Sequence, residues 1–145
     1  MSHLKYYSYA GAGEHMTNNY GYSQSVNING VIEMSGQGGW FAHVIICSWW
    51  GRDDAGNYPD TLDEHIHQAF KNVERALKDA GGKGHEEVYS ITTYHCPMDE
   101  ESLGISVKYV KQFMPHKPIW TALGVAALAD KNMKIEVVVK AKTQW

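Results

Sequence analysis

One run of residues, Thr61 to Gly82, dictates much of what the rest of the chain must do. Thr61 and Glu64 have capping-box spacing, in which the threonine side chain satisfies a free amide in the first turn and the glutamate reaches back to the cap. Leu62, Ile66, Ala69, Val73, Ala76, Leu77 and Ala80 then recur at helical intervals until Gly81-Gly82 stops the pattern. The spacing predicts one amphipathic helix of about five turns. Its apolar stripe has to be buried against another element.

The flanking segments suggest that this element is a sheet. Tyr22 to Ile28 and Val31 to Gly36 enclose Asn29-Gly30, a dipeptide suited to a type I′ turn because both central residues need positive φ, so a hairpin is expected. Val88 to His95 is β-rich, and Ile119 to Val125 and Met133 to Ala141 alternate as strands around Asp130-Lys131-Asn132. Asp99 can cap a second helix with the stripe Leu103, Val107, Val110 and Met114, ended by Pro115. Gly38 to Asp60 carries Trp40, Phe41, Trp49, Trp50 and Tyr58 around Val44-Ile45-Ile46-Cys47, and reads as an inserted strand and loop. Residues 1–20, aperiodic and rich in Tyr, Gly, Ser and Asn, read as an irregular arm with one short strand at most. The expected order is β-β-α-β-α-β-β, a single α+β domain of residues 1–145 with two helices on one face of a mixed sheet.

Composition narrows the class. A chain of 145 residues has room for one domain that buries roughly 70% of its unfolded surface. With 43% hydrophobic and 20% charged residues it is neither a disordered tail nor a disulfide-stapled miniature. A net charge of −3 argues against nucleic acid as a partner, and Lys131, Lys134, Lys140 and Lys142 read as a solvated strand face. Cys47 and Cys96 cannot build a disulfide framework, and no Cys/His pair has zinc spacing. No run approaches the roughly 18 to 20 apolar residues of a membrane span, and the N-terminus lacks an apolar h-region, so a cytoplasmic protein without metal or cofactor is expected.

Several residues could carry chemistry. His65 and His67 stand two apart on the predicted helix and point to different faces, which makes no metal clamp. His43, His85, His95 and His116 lie on separate elements, and each is a possible general base. Ser35-Gly36-Gln37-Gly38-Gly39 lacks the Lys-Ser/Thr of a P-loop and reads as a turn with exposed amides. Glu136, inside the strand Ile135 to Val139, reads equally as a solvated strand charge or as a site carboxylate.

Gly21-Tyr22-Ser23-Gln24-Ser25-Val26, Ser35-Gly36-Gln37, the helix from Gln68-Ala69-Phe70-Lys71-Asn72-Val73 to Ala80-Gly81, and Lys134-Ile135-Glu136 together resemble the Rid family, also called YjgF/YER057c/UK114. The resemblance spans roughly Tyr20 to Ala141. It implies a chorismate-mutase-like fold assembled as a homotrimer, with small-molecule clefts between subunits. In the family's deaminases water adds to a 2-imino or enamine acid and ammonia leaves. An Arg grips the substrate carboxylate, backbone near the SGQ-like strand lines the cleft, and a Tyr and a Glu place substrate and water. By position these roles fall on Ser35, Gly36 and Gln37, on Tyr22 and on Glu136.

The arginine is missing. The family's Pro-Ala-Arg-Ser aligns with Pro118-Ile119-Trp120-Thr121, and Ala122 stands where many members have Cys. An indole offers one N–H and an apolar face in place of a charged fork, so a small imino acid should bind poorly. The expectation is an enzyme of specialised metabolism acting on a larger, apolar or aromatic metabolite. Glu136 would be its acid/base and Tyr22 its hydrogen-bond donor, with Trp120, Thr121, Trp40 and Arg52 around the ligand. One alternative is a retained deaminase in which Arg52 or Lys117 replaces the arginine. Another is a non-catalytic ligand-binding or regulatory protein.

Overall fold

A computed structural model describes residues 4–40 and 58–143. In chain order the elements are β1 (Lys5–Tyr7), α1 (Ala12–Tyr20), β2 (Ser25–Ile28), β3 (Val31–Met34), β4 (Gln37–Gly38), α2 (Leu62–Asp79), β5 (Val88–His95), α3 (Glu100–Phe113), β6 (Ile119–Gly124) and β7 (Ile135–Lys142), with a 3-10 turn at His85–Glu87 before β5. The seven strands form one mixed sheet in the order β1-β2-β3-β7-β5-β6, with β4 also paired to β7. Only the β5–β6 pair is parallel, and α3 makes the crossover between these two strands. The α+β class read from the sequence is the observed one.

The long helix forms for the reasons its sequence implies. Thr61 Oγ1 accepts from the Glu64 amide at 3.2 Å and donates to Glu64 Oε2 at 2.8 Å. At the other end Gly81 takes φ of 89°, a conformation that favours glycine. Ile66, Ala69, Phe70, Val73, Ala76 and Leu77 are fully buried together with Ile32, Ile135, Val137, Val139 and Ala141 of the sheet. Asn72 interrupts the stripe and is buried too, because its amide donates to the carbonyls of Gly38 at 2.9 Å and Trp40 at 2.7 Å. The Asn29-Gly30 turn has φ of 53° and 82°, as a type I′ hairpin requires.

Two expectations need correction. The N-terminal arm is not irregular: it holds β1 and a third helix, α1, which begins after Gly11 and is closed by Gly21 in the left-handed region, whose N–H bonds Thr17 O. Only Ala12 and Gly13 of α1 are buried, so this helix has no long apolar stripe to announce it. The strand expected over Val31 to Gly36 ends at Met34 as β3, and Gln37-Gly38, expected within a turn with exposed amides, is the buried strand β4; both pair with β7. The strand expected around Val44 to Cys47 lies outside the described residues, as does Arg52.

Candidate functional site

The break between β3 and β4 is where the scattered motifs meet. Ser35 N–H donates to Gln24 O at 2.9 Å, Ser35 Oγ donates to Ser23 O at 2.8 Å, and Gln37 Nε2 donates to Gln24 Oε1 at 3.0 Å. These bonds bind residues 22–24 to residues 35–37. Directly across from them runs β7, paired through Gln37 to Val137 and Gly38 to Glu136. The Glu136 carboxylate lies over the α-carbon of Gly36 so closely that a β-carbon there would overlap it. A side chain at 36 would therefore displace the Glu136 carboxylate from its place.

Glu136 is half-buried, and burial raises its pKa. Among the described residues no cation or hydrogen-bond donor reaches the carboxylate to oppose that shift. Tyr22, 38% exposed, lies close enough for Glu136 to raise its pKa, a smaller effect than that of the phenol's own burial. Tyr94 of β5 stands in register with Glu136 and Leu123 of β6 in register with Tyr94, so these three form one row across the sheet. That row faces away from the helices, because Ile91, Thr93 and His95 of β5 and Ile135, Val137 and Val139 of β7 fill the opposite face. Nothing in the sequence pattern pairs Tyr94 with Glu136; the signal exists only once the β5–β7 register is known.

The other expected site residues are placed differently. Gln37 is fully buried, and its side chain is occupied by Tyr9, Gln24 and Ser35, so only its backbone remains for a ligand. Trp120, in register with the buried Ile91, turns to the helix-covered face, where its Nε1 donates to Thr93 Oγ1 at 3.0 Å. Within one chain, then, Trp120 and Glu136 are on opposite faces of the sheet. Thr121 is exposed and in register with Thr92. Trp40 is buried, its indole N–H directed to Tyr9 Oη at 3.4 Å. Lys117 is exposed in the turn after α3, with φ of 60°.

The histidines have structural occupations. His85 and His116 bond the carbonyls of Phe70 and Val88 through Nε2, and His95 sits between Ser102 Oγ at 2.7 Å and Thr93 Oγ1 at 2.9 Å. His65 stacks on Tyr58 at 4.9 Å, whereas His67 stacks on Tyr109, so the pair diverges as expected. Burial, with help from Lys134, pushes His65 down to about 4, which leaves it neutral. His43 lies outside the described residues.

A cleft of about 540 Å³ lies at the N-terminal ends of α2 and α3, lined by Tyr58, Thr61, His65, Cys96, Asp99 and Lys134 among others. It contains none of Tyr22, Gly36 and Glu136. The cleft's own polar groups are already committed: His65 is weakly basic and stacked on Tyr58, and the cap carboxylate of Asp99 is bonded to the Ser102 amide at 2.8 Å. Among the described residues no helix covers Glu136, which is half-buried on the sheet face away from the helices.

Comparison with known proteins places this geometry in a wider group. The model of the family described as Endoribonuclease L-PSP matches residues 14–143. The RutC family protein YjgH of Escherichia coli (strain K12) is 27% identical over 124 residues, covering 85% of each chain. The solved structure of protein YjgH superposes with a TM-score of 0.77 at 20% identity, over 99% of both chains. Rv2704 from Mycobacterium tuberculosis, of the YjgF/YER057c/UK114 family, gives 0.73 at 18% identity, over 97% of this chain and 99% of that one. E. coli TdcF, solved with bound serine, gives 0.69 at 20% identity, over 85% and 88%.

Proposed function

This chain belongs to the Endoribonuclease L-PSP family, the Rid or YjgF/YER057c/UK114 group, and on that premise we propose that it is an enzyme transforming a small organic metabolite at Glu136. The observation that carries the reading is a half-buried carboxylate with a raised pKa, laid over Gly36, beside Tyr22, and without a protein partner among the described residues. A carboxyl group whose pKa is drawn toward neutrality is suited to exchange protons with a ligand. In a hydrolytic step Glu136 takes a proton from the attacking water as the new C–O bond forms, and returns it to the leaving group. Tyr22 donates a hydrogen bond to the ligand. The ligand is apolar or aromatic, since Trp120 stands at the position of the family's arginine.

The reading places the site between copies of the chain in a homotrimer. This is supported by the exposed Ile119 and Leu123 on the sheet face that bears Glu136, and it lets Thr121 of one copy, which shares that face, meet Glu136 of another. RNA is disfavoured as the substrate by the net charge of −3 and by the absence of a cation beside Glu136 among the described residues.

The test is turnover. Ammonia release from freshly generated 2-iminopropanoate, 2-iminobutanoate and their aromatic counterparts is measured with wild type and Glu136→Gln. Loss of roughly 10²- to 10⁴-fold with an unchanged assembly state is expected. Activity that survives the change removes Glu136 from the mechanism. Serine bound to E. coli TdcF favours a second reading, a carboxylate-bearing substrate held by Arg52 or Lys117, in which Arg52→Ala or Lys117→Ala raises KM for imino acids. Tight binding with no product in any assay would instead indicate a ligand-binding or regulatory protein.

A further inference from the structure

The buried side chains beneath the site form a hydrogen-bond chain with a direction. It starts at Trp40, whose indole nitrogen can only donate, and which points to Tyr9 Oη at 3.4 Å. Tyr9 is buried, and burial pushes its pKa up to about 12, so the phenol keeps its hydrogen and gives it to Gln37 Oε1 at 2.9 Å. That contact fixes which end of the Gln37 amide is which. Its Nε2 then donates to Gln24 Oε1 at 3.0 Å, and the orientation of Gln24 is fixed in turn.

The chain ends on an unused donor. Gln24 is 1% exposed, its carbonyl is occupied, and its Nε2 is buried with no hydrogen-bond partner. A buried amide hydrogen without an acceptor is costly and uncommon in a native interior. Gln24 lies beside the Tyr22 phenol and draws its pKa down, against the larger upward push of burial and the smaller pushes of Glu136 and Tyr20.

We propose that Gln24 is a positioning residue for Tyr22: its amide N–H closes onto the Tyr22 phenolic oxygen, leaving the Tyr22 hydrogen to be donated away from the protein interior, toward Glu136 or a ligand held there. This rests on the reading of Tyr22 and Glu136 as the ligand site. A Gln24 of opposite orientation would accept the Tyr22 hydrogen and silence it as a donor. Trp40 and Tyr9, which stand behind Gln37 and Gln24 in the chain of bonds, therefore decide what Tyr22 can do.

The experiment needs no substrate. The protein is labelled with fluorotyrosine, which brings phenol ionisation into a range where folded chains survive, and the Tyr22 fluorine resonance is assigned with Tyr22→Phe. Titration of wild type, Gln24→Met and Tyr9→Phe follows. Gln24→Met removes the donor from the phenolate and is expected to raise the Tyr22 pKa by about half a unit or more. Tyr9→Phe frees both amides to turn and is expected to shift it the same way by less. An unchanged Tyr22 titration in a folded Gln24→Met protein overturns the proposal. If that variant does not fold, an unchanged titration in Tyr9→Phe does so. Because the titration is independent of turnover, its failure leaves the Glu136 reading standing, and inactivity of the wild type leaves the Gln24 result standing.

Discussion

Glu136 illustrates how one residue can have its chemistry set by what is missing around it. Burial alone raises its pKa, because no donor or cation among the described residues stabilises the charged form. The folded-state pKa lies above the unfolded one, so over the carboxylate range the native state binds more protons than the unfolded chain. Stability contributed by this group is therefore lost as pH rises. At neutral pH the ionised Glu136 destabilises the protein, and Glu136→Gln is expected to raise the melting temperature at pH 7. The gain should vanish near about pH 3.5, where the carboxyl is protonated in both states. Calorimetry at the two pH values checks this; equal melting at both would mean that the carboxylate is not desolvated. If Glu136 carries the chemistry as proposed, the substitution that removes turnover also stabilises the fold, as expected of a residue kept for function.

Between elements, α2 and α3 are joined by a small polar clasp and an aromatic ladder. Asp63 accepts from Lys108 Nζ and from Tyr109 Oη, both at 2.6 Å, and these donors draw its pKa down. His67 stacks on Tyr109 at 4.9 Å, and Phe113 on His85 at 4.9 Å. Tyr109→Phe keeps the ring and removes one hydrogen bond, so a loss of about 1 kcal/mol in unfolding free energy is expected, read from the urea midpoint. Lys108→Ala should cost less, because its partner carboxylate is 43% exposed and the ion pair is screened. A larger effect of Lys108 than of Tyr109 would refute that ranking. Both helices were legible in the sequence through their caps, Thr61 and Asp99, and their stripes. The helix α1 was not, although Gly11 and Gly21 bracket it and Glu14 Oε2 takes the Gly11 amide at 3.4 Å. Its apolar contact is confined to its first turn.

At the scale of the whole molecule the sheet is covered unequally. Helices bury one face, while the other carries Ile119 at 71% exposure, in line with Ser90 and Lys140, and Leu123 at 42%, in line with Tyr94 and Glu136. Such a face is suited to be covered by further copies of the chain. Leu123→Asp introduces a charge there and, on the proposed trimer, is expected to give single chains, measured by sedimentation equilibrium. An unchanged mass would show that this face is not the interface. No helix among the described residues is long and apolar enough to cross a membrane.

The chain's own pattern determines those features whose cause is local: the five-turn α2, the Asn29-Gly30 turn, the capped α3, and the alternation that marks β7. Each depends on residues within a few positions of one another, where helical or β periodicity can be read directly. The site was legible only in part. The short motifs at Tyr22, Ser35-Gly36 and Glu136 could be named, but their meeting depends on β4 crossing β7 and on Glu136 lying over Gly36. Tertiary structure alone decided that Tyr94 faces Glu136, that Trp120 turns to the helix side, and that Gln24 is left with an unused donor. Strand register and parity are settled by contacts between residues far apart in the chain, and such contacts leave no period in the sequence.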